Sequence, residues 1–340
     1  MSQAISDQVS GQPPAAGKFK LFLLETRAPF FTATLVPIVL GGIIAWASTG
    51  NFHWGYFVLT LLGGLCLHAG TNIANDYWDH KSSNDEINEE YVRPFTGGSR
   101  MIQRGLLSPK EVLGESLVFF IAGSIIGLFL VWTRGLPVLV LGVIGIFSGF
   151  FYCAPPVRLS YRGVGEAIIG LNFGPLMVFG TYWVQTQRFD WLPIIASVPV
   201  GILIAAVIYI NEFQDCAADK AVGRKHMIAR WGKEKGAAGY AVIMFAVYAW
   251  IAAWVITGLL SRWLPLLEFL SLPVFCLLAF ITLPKAIQAV RTAREFHSDS
   301  QKLVPANALT IMSHLQGGIW MMVGFSLWVV WNRVYPLLLN

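Results

Sequence analysis

Apolar positions in this chain come in long unbroken runs, not in alternation. Stretches long enough to cross a bilayer fall at roughly 29–49, 55–76, 112–132, 136–153, 165–186, 192–213, 237–259, 264–283 and 315–335. Runs of this length predict helices, because membrane barrels are built from short alternating strands. The pattern therefore predicts an all-α integral membrane protein with about nine transmembrane helices. Pro137, Pro265 and Pro273 blur the ends of the fourth and eighth runs, since proline breaks or kinks a helix. Residues 1–17 are polar and rich in Ser, Gln, Pro and Ala, which predicts a disordered tail ahead of a single transmembrane domain over 18–340. The first run ends in Ala45-Trp46-Ala47, which mimics a leader cleavage site, but it starts too late and is too long for a signal core.

Composition narrows the class. Of 340 residues 55% are hydrophobic and only 13% charged, about half the share usual in soluble domains. The mean hydropathy is +0.60. These values exclude a disordered chain, a disulfide scaffold, a coiled coil and an ordinary soluble enzyme. Thirteen Trp and ten Tyr suit a protein anchored at two membrane interfaces. Cys66, Cys153, Cys216 and Cys276 are far apart and show no metal-ligand spacing, so they read as small buried residues.

The net charge of +5 is explained by topology without nucleic acid. With nine spans and an inside N-terminus, the inside segments (the tail, 77–111, 154–164, 214–236 and 284–314) carry 20 of the 24 basic residues. The outside segments carry Arg134, Arg188, Arg262 and Arg333. Positive charge stays on the cytoplasmic side, so the N-terminus is expected inside and the C-terminus outside. Two inside loops, 77–111 and 214–236, are long and densely charged, and long loops usually carry function.

Those loops follow the candidate chemistry. The second run ends Asn72-Ile-Ala-Asn75-Asp76-Tyr-Trp-Asp79-His80-Lys81, which places Asn72, Asp76 and Asp79 on one helical face. The sixth ends Asn211-Glu-Phe-Gln-Asp215-Cys-Ala-Ala-Asp219-Lys220, with Asn211, Asp215 and Asp219 spaced by four. Both segments share N-x-x-x-D, and an even number of spans puts both on the same side. Clustered carboxylates at helix C-termini face the negative end of the helix dipole and repel one another. Each costs roughly 2.5–3.5 kcal/mol where it enters the apolar zone. Hard divalent cations offset this, and Mg²⁺ takes a few carboxylates together with phosphate oxygens. Lys81, Arg93, Arg100 and Arg104 follow the first segment, and Lys220, Arg224 and Lys225 the second. Carboxylates beside cations are the arrangement a diphosphate–Mg²⁺ complex needs. The loop after the fourth run carries Arg158, Tyr161 and Arg162, which read either as a turn with positive-inside arginines or as groups that reach the same diphosphate. His80 and His226 read as loop residues outside any ligand set. Asn172 is a polar residue inside an apolar helix, hence a functional candidate for an acceptor or tail pocket, and Gly63-Gly64 reads as helix packing.

Asn75-Asp76-Tyr77-Trp78-Asp79 and Asn211-Glu-Phe-Gln-Asp215-x-x-x-Asp219 resemble the two aspartate-rich motifs of the UbiA superfamily of intramembrane prenyltransferases, and the resemblance covers about 20–335. It implies nine helices around a central cavity that opens into the lipid bilayer, with the active site at the cytoplasmic side. It also implies Mg²⁺-dependent transfer of a prenyl group from a polyprenyl diphosphate to an aromatic acceptor. Carried onto this chain, Asn72, Asp76 and Asp79 would bind one metal ion, and Asn211, Asp215 and Asp219 another. The aspartates would be the catalytic set, and Lys81, Arg93, Arg100, Arg158, Tyr161, Arg162 and Lys220 would hold diphosphate. Where the common superfamily pattern has a further acid, this chain has Ser83, and the next acid is Asp85.

The branch is read from three stretches. The second motif, Thr96-Gly97-Gly98-Ser99-Arg100, and Gly180-Thr-Tyr182-Trp-Val-Gln185 are similar to the menaquinone branch of the superfamily. That resemblance implies 1,4-dihydroxy-2-naphthoate as acceptor, decarboxylation to demethylmenaquinol, and a home in a bacterial cytoplasmic membrane. Alternatives are another acceptor such as 4-hydroxybenzoate and, from a different class, a secondary transporter. Transporter sites lie near the midplane, whereas these carboxylates lie at one interface.

Overall fold

Each predicted apolar run overlaps a helix in the computed structural model, which describes residues 17–261, 263–264 and 271–338. In chain order these are α1 (Lys18–Glu25), α2 (Thr32–Thr49), α3 (Trp54–Lys81), the short α4 (Asn84–Ile87), α5 (Pro109–Arg134), α6 (Leu136–Phe150), α7 (Gly165–Thr186), α8 (Trp191–Ala221), the short α9 (Met227–Trp231), α10 (Lys233–Leu260), α11 (Val274–Phe296) and α12 (Val304–Leu338). No strand occurs among the described residues. Seven segments among them are long and apolar enough to cross a membrane: Lys18–Thr49, which joins α1 to α2, then α3, α5, α7, α8, α10 and α11. α6 has 15 residues, or about 22 Å, less than a bilayer's apolar thickness. α12 contains the ninth predicted run. The tail expected over 1–17 lies outside the described residues except for Gly17, as does Arg262.

The eighth run is displaced from its expected place. Residues 265–270 lie outside the described set, and the helix runs from Val274 to Phe296, so most of the expected inside loop 284–314 is helical. Hydropathy missed this because the second half of α11 is amphipathic. Ala286, Ala289, Val290 and Ala293 form a buried stripe at helical spacing, while Arg291 and Arg294 stay exposed.

Local chemistry accounts for the main boundaries. Ser108 accepts from the Glu111 backbone N–H, and the Glu111 carboxylate accepts from Ser108 N–H, a capping box with Pro109 at the first position of α5. The Asp190 carboxylate caps α8 by accepting from Leu192 N–H at 2.9 Å. α7 widens to a π turn over Asn172–Leu176, where Pro175 lacks the N–H that an α-helical bond needs.

α8 is the hub. In its most apolar window 72% of residues are buried inside the protein, against 22% for α5, whose Val118, Ile121, Ile125 and Trp132 point outward as a lipid-facing side would. The core packs α2, α8, α10, α11 and α12 together. α7 crosses α8 at Gly170, Gly174 and Gly201, where a Cβ on Gly201 would lie 2.4 Å from the Gly170 carbonyl oxygen. That close approach fixes the register of α7 against the second motif's helix. Gly63 packs in the same manner against Ile126 of α5. Cys66, Cys153, Cys216 and Cys276 are all free thiols, three of them buried.

Candidate active site

The last turns of α3 and α8 end beside one polar cavity of about 140 Å³. Asn75, Asp76 and Asp79 reach it from α3, and Asn211, Glu212, Asp215 and Asp219 from α8. The loop after α3 folds over the top and contributes Asn84, Asp85, Asn88, Thr96, Gly97 and Gly98. Five of the six expected metal-ligand positions are thus brought together. Asn72 lies outside the lining, its amide donating to the Thr26 carbonyl at 3.2 Å. Asn75 lines the cavity instead, and its Oδ1 is buried without a hydrogen-bond partner.

Each carboxylate is held. Asp76 accepts from Ser99 N–H at 2.9 Å and lies 3.8 Å from Arg27. Asp215 accepts from the Asn88 amide at 2.7 Å. Asp219 accepts from the Asn84 amide at 3.0 Å and from Arg224 at 3.2 Å. A second nitrogen of Arg224 donates to Asp79. Asn211 donates to the Phe95 carbonyl at 3.2 Å and accepts from the buried Asn307 of α12 at 2.7 Å, which ties the covering loop and the last helix to the second motif.

The expected cations divide differently. Lys81, Arg93, Arg158, Arg162 and Lys220 are exposed and outside the cavity lining. Arg162 donates to carbonyls of its own loop, Val157 and Pro156. Arg100 is buried but spent on the fold, donating to the carbonyls of Asp85 and Asn88 and lying over the Tyr91 ring at 3.8 Å. Tyr161 offers its ring to Arg158 at 5.3 Å and to Arg224 at 5.0 Å. The basic groups that line the cavity are Arg27, Arg224 and His226. Arg27 follows α1 and sits in a left-handed turn, φ 57°, that aims it back at the motif. The one sequence signal for it was a basic residue abutting an apolar run.

His226 is the largest departure from the sequence reading. It lies in the loop before α9 as expected, but it is buried and points into the site, 3.2 Å from carboxylate oxygens of both Glu212 and Asp219. Burial opposes its charge, but the contacts to Asp219 and Glu212 outweigh it and raise the imidazole to about 10. His80 lies in the last turn of α3 and pairs with Glu86 at 2.5 Å, away from the cavity. Burial first, then the Asp79 and Asp76 charges, push the Asp85 carboxyl up to about 9. Its Oδ2 is buried and unpartnered.

These donors fit a hard divalent cation. They are carboxylate and amide oxygens, and Asn75 Oδ1, Asn84 Oδ1 and Asp85 Oδ2 are buried with hydrogen-bonding capacity unused. Among the described residues no three His, Cys, Asp or Glu groups converge on a single point, so they frame a shared cavity rather than a tight chelate.

An apolar cavity of about 190 Å³ adjoins it, with Tyr152 in both walls. It runs between α3, α5, α6 and α7 and is lined by residues such as Leu67, Gly123, Ile126, Leu141, Phe173 and Leu176. Asn172 lies in this wall, its amide donating to Ser148 of α6 at 2.8 Å. His68 lies there too, hydrogen-bonded to Thr34 at 2.7 Å and edge-on to Phe173.

Comparison with known proteins agrees with this geometry. The sequence profile described as the UbiA prenyltransferase family matches residues 34–299. The chain is 29% identical to a 2-carboxy-1,4-naphthoquinone phytyltransferase of Synechocystis sp., over 90% of this chain and 93% of that one. It is 28% identical to a 1,4-dihydroxy-2-naphthoate octaprenyltransferase of Bacillus subtilis, over 78% of this chain and 79% of that one. Its fold is similar to that of a UbiA homolog from Archaeoglobus fulgidus bound to DMAPP and Mg²⁺, with a TM-score of 0.59 at 16% identity, covering 89% of this chain and 99% of that one.

Proposed function

Because the chain belongs to the UbiA prenyltransferase family, we propose that it is a polyprenyltransferase that moves a prenyl group from a polyprenyl diphosphate to 1,4-dihydroxy-2-naphthoate. The observation that carries this reading is the junction at Tyr152 of a polar cavity framed by both motifs with an apolar cavity between helices. One suits a diphosphate head and the other a hydrocarbon tail. The naphthoate acceptor is supported by the names of the relatives in Synechocystis and Bacillus subtilis.

The residues suggest a division of labour. Asp76, Asp79, Asp215 and Asp219, with Asn75 and Asn211 beside them, would hold Mg²⁺, which when bound neutralises charge developing on the diphosphate oxygens. Arg27 and Arg224 add fixed positive charge in the same cavity, and His226 keeps Asp219 oriented. The allylic C–O bond breaks and its electron pair leaves with the diphosphate. The apolar wall excludes water from the resulting carbocation, and the rings of Tyr152 and Phe173 face the cavity that would shelter it. The electron-rich ring carbon bearing the acceptor's carboxylate then attacks. Loss of CO₂ returns the C–C electron pair to the ring, restores aromaticity and yields demethylmenaquinol.

Purified protein incubated with one polyprenyl diphosphate, Mg²⁺ and either acceptor, read by mass spectrometry, tests the substrate. The naphthoate should be prenylated with loss of CO₂. Prenylation of 4-hydroxybenzoate alone would overturn the acceptor while sparing the reaction class.

The same reading places nine spans in the cytoplasmic membrane with the carboxylates on the cytoplasmic side. A membrane-impermeant thiol reagent applied outside should label a cysteine introduced at Arg188 and leave one at Ser298 unlabelled. The reverse pattern would invert the orientation.

A further inference from the structure

Arg224 stands where the two motifs meet. One guanidinium nitrogen contacts Asp79 of α3 and the other contacts Asp219 of α8 at 3.2 Å, so a single side chain bridges carboxylates from both motifs. It is well shielded, with 12% of the side chain exposed, the Tyr161 ring 5.0 Å away and Cys153 Sγ at 3.4 Å. Its Nε is buried with no hydrogen-bond partner. A guanidinium in a polar cavity with one donor left over is prepared to take a further anion.

The guanidinium and a divalent cation compete for the Asp79 and Asp219 oxygens that face Arg224, because two positive groups brought to the same short approach repel each other. We propose that Arg224 is the resident counter-ion of Asp79 and Asp219 and gives them up only when a diphosphate arrives to receive its guanidinium, so that divalent-cation and diphosphate binding are coupled through this one residue. The proposal rests on the reading of the cavity as a metal–diphosphate site. In the absence of diphosphate the bridge holds the two motifs together and disfavours a bare cation. With diphosphate present, the planar fork exchanges two carboxylates for phosphate oxygens, a geometry it matches equally well. Coupling is reciprocal, so removing the bridge must strengthen cation binding to the empty protein and weaken the mutual effect of the two ligands.

Mn²⁺ titrations followed by electron paramagnetic resonance test this. Full-length protein in detergent is titrated with and without inorganic pyrophosphate, after correction for the Mn²⁺–pyrophosphate complex in solution. In the wild type, pyrophosphate should tighten Mn²⁺ binding by about tenfold, within the usual range of coupling between sites. Arg224→Gln should bind Mn²⁺ alone about tenfold more tightly than the wild type, and pyrophosphate should then add less than about threefold. Arg224→Lys keeps the charge but loses the fork, and should fall between the two. It also gives the decision if Arg224→Gln fails to fold. Lys225→Gln, an exposed neighbour, controls for the loss of one positive charge. Mn²⁺ affinity unchanged in both Arg224 variants, or raised as much by Lys225→Gln, overturns the exchange. A wild type that binds no Mn²⁺ even with pyrophosphate overturns the metal–diphosphate reading itself, and the exchange with it.

Discussion

Asp215→Ala is expected to lower prenyl transfer by roughly 10³-fold while the protein still inserts and unfolds at a temperature close to that of the wild type. Asp76→Ala should behave alike. Both carboxylates are buried or half-buried in the polar cavity, and each is placed by a specific donor, Asn88 for Asp215 and the Ser99 backbone N–H for Asp76. Their proposed work is to hold metal for the chemical step, so the loss should fall on kcat rather than on insertion. Stability should change little, because deleting one acid also relieves repulsion from Asp79 and Asp219 in the same cavity. The measurement is diphosphate release at saturating Mg²⁺ and both substrates, with thermal unfolding as the control. Wild-type turnover in either variant would remove these aspartates from the metal set.

Gly98→Val should cost activity about as severely, on the order of 10²-fold or more, by a route that involves no ligand of its own. Gly98 has φ +67°, and a Cβ there would lie 2.7 Å from Asp76 Oδ1 and 3.1 Å from Asp85 Oδ2. The neighbouring Ser99 N–H anchors Asp76, so displacing the turn also displaces that carboxylate. The backbone strain alone is worth about 1–2 kcal/mol for a residue with a Cβ. Gly105→Ala separates strain from displacement. Gly105 has φ +65° in the same covering loop, yet nothing lies within 4 Å of its Cβ position. It should lose stability by about the same amount and keep its activity. If Gly98→Val turns over like Gly105→Ala, the close approach of this turn to Asp76 has no catalytic consequence.

The covering loop shows where sequence reading falls short. Its charges, Lys81, Arg93, Arg100 and Arg104, invited assignment to the diphosphate, but its amides reach the site: Asn84 to Asp219 and Asn88 to Asp215. Amide–carboxylate pairing across about 130 residues leaves no periodic trace in a sequence. Arg100 turned inward because the carbonyls of Asp85 and Asn88 needed a donor where the loop closes, and burial without one costs about 1–3 kcal/mol each. Asn307 of α12 reaches Asn211 from a helix with no motif at all.

The sequence by itself determined the class of protein, the positions of all its apolar helices except the eighth, and the motif faces apart from Asn72. Each of these depends on local period: unbroken apolar runs specify membrane helices, and four-residue spacing puts Asp215 and Asp219 on one side of α8 whatever surrounds it. The UbiA family assignment follows from the same local patterns and extends over residues 34–299. Tertiary structure alone decided which cations meet those carboxylates. A basic side chain in a loop acts where the loop docks, and docking depends on contacts with distant helices. Arg27 arrives through a left-handed turn before α2, Arg224 through shielding by Tyr161, and His226 through Glu212 and Asp219, whereas Lys81, Arg93 and Lys220 remain in solvent. The amphipathic second half of α11 escaped hydropathy for a related reason: a narrow alanine stripe is recognisable as buried only once another helix packs against it.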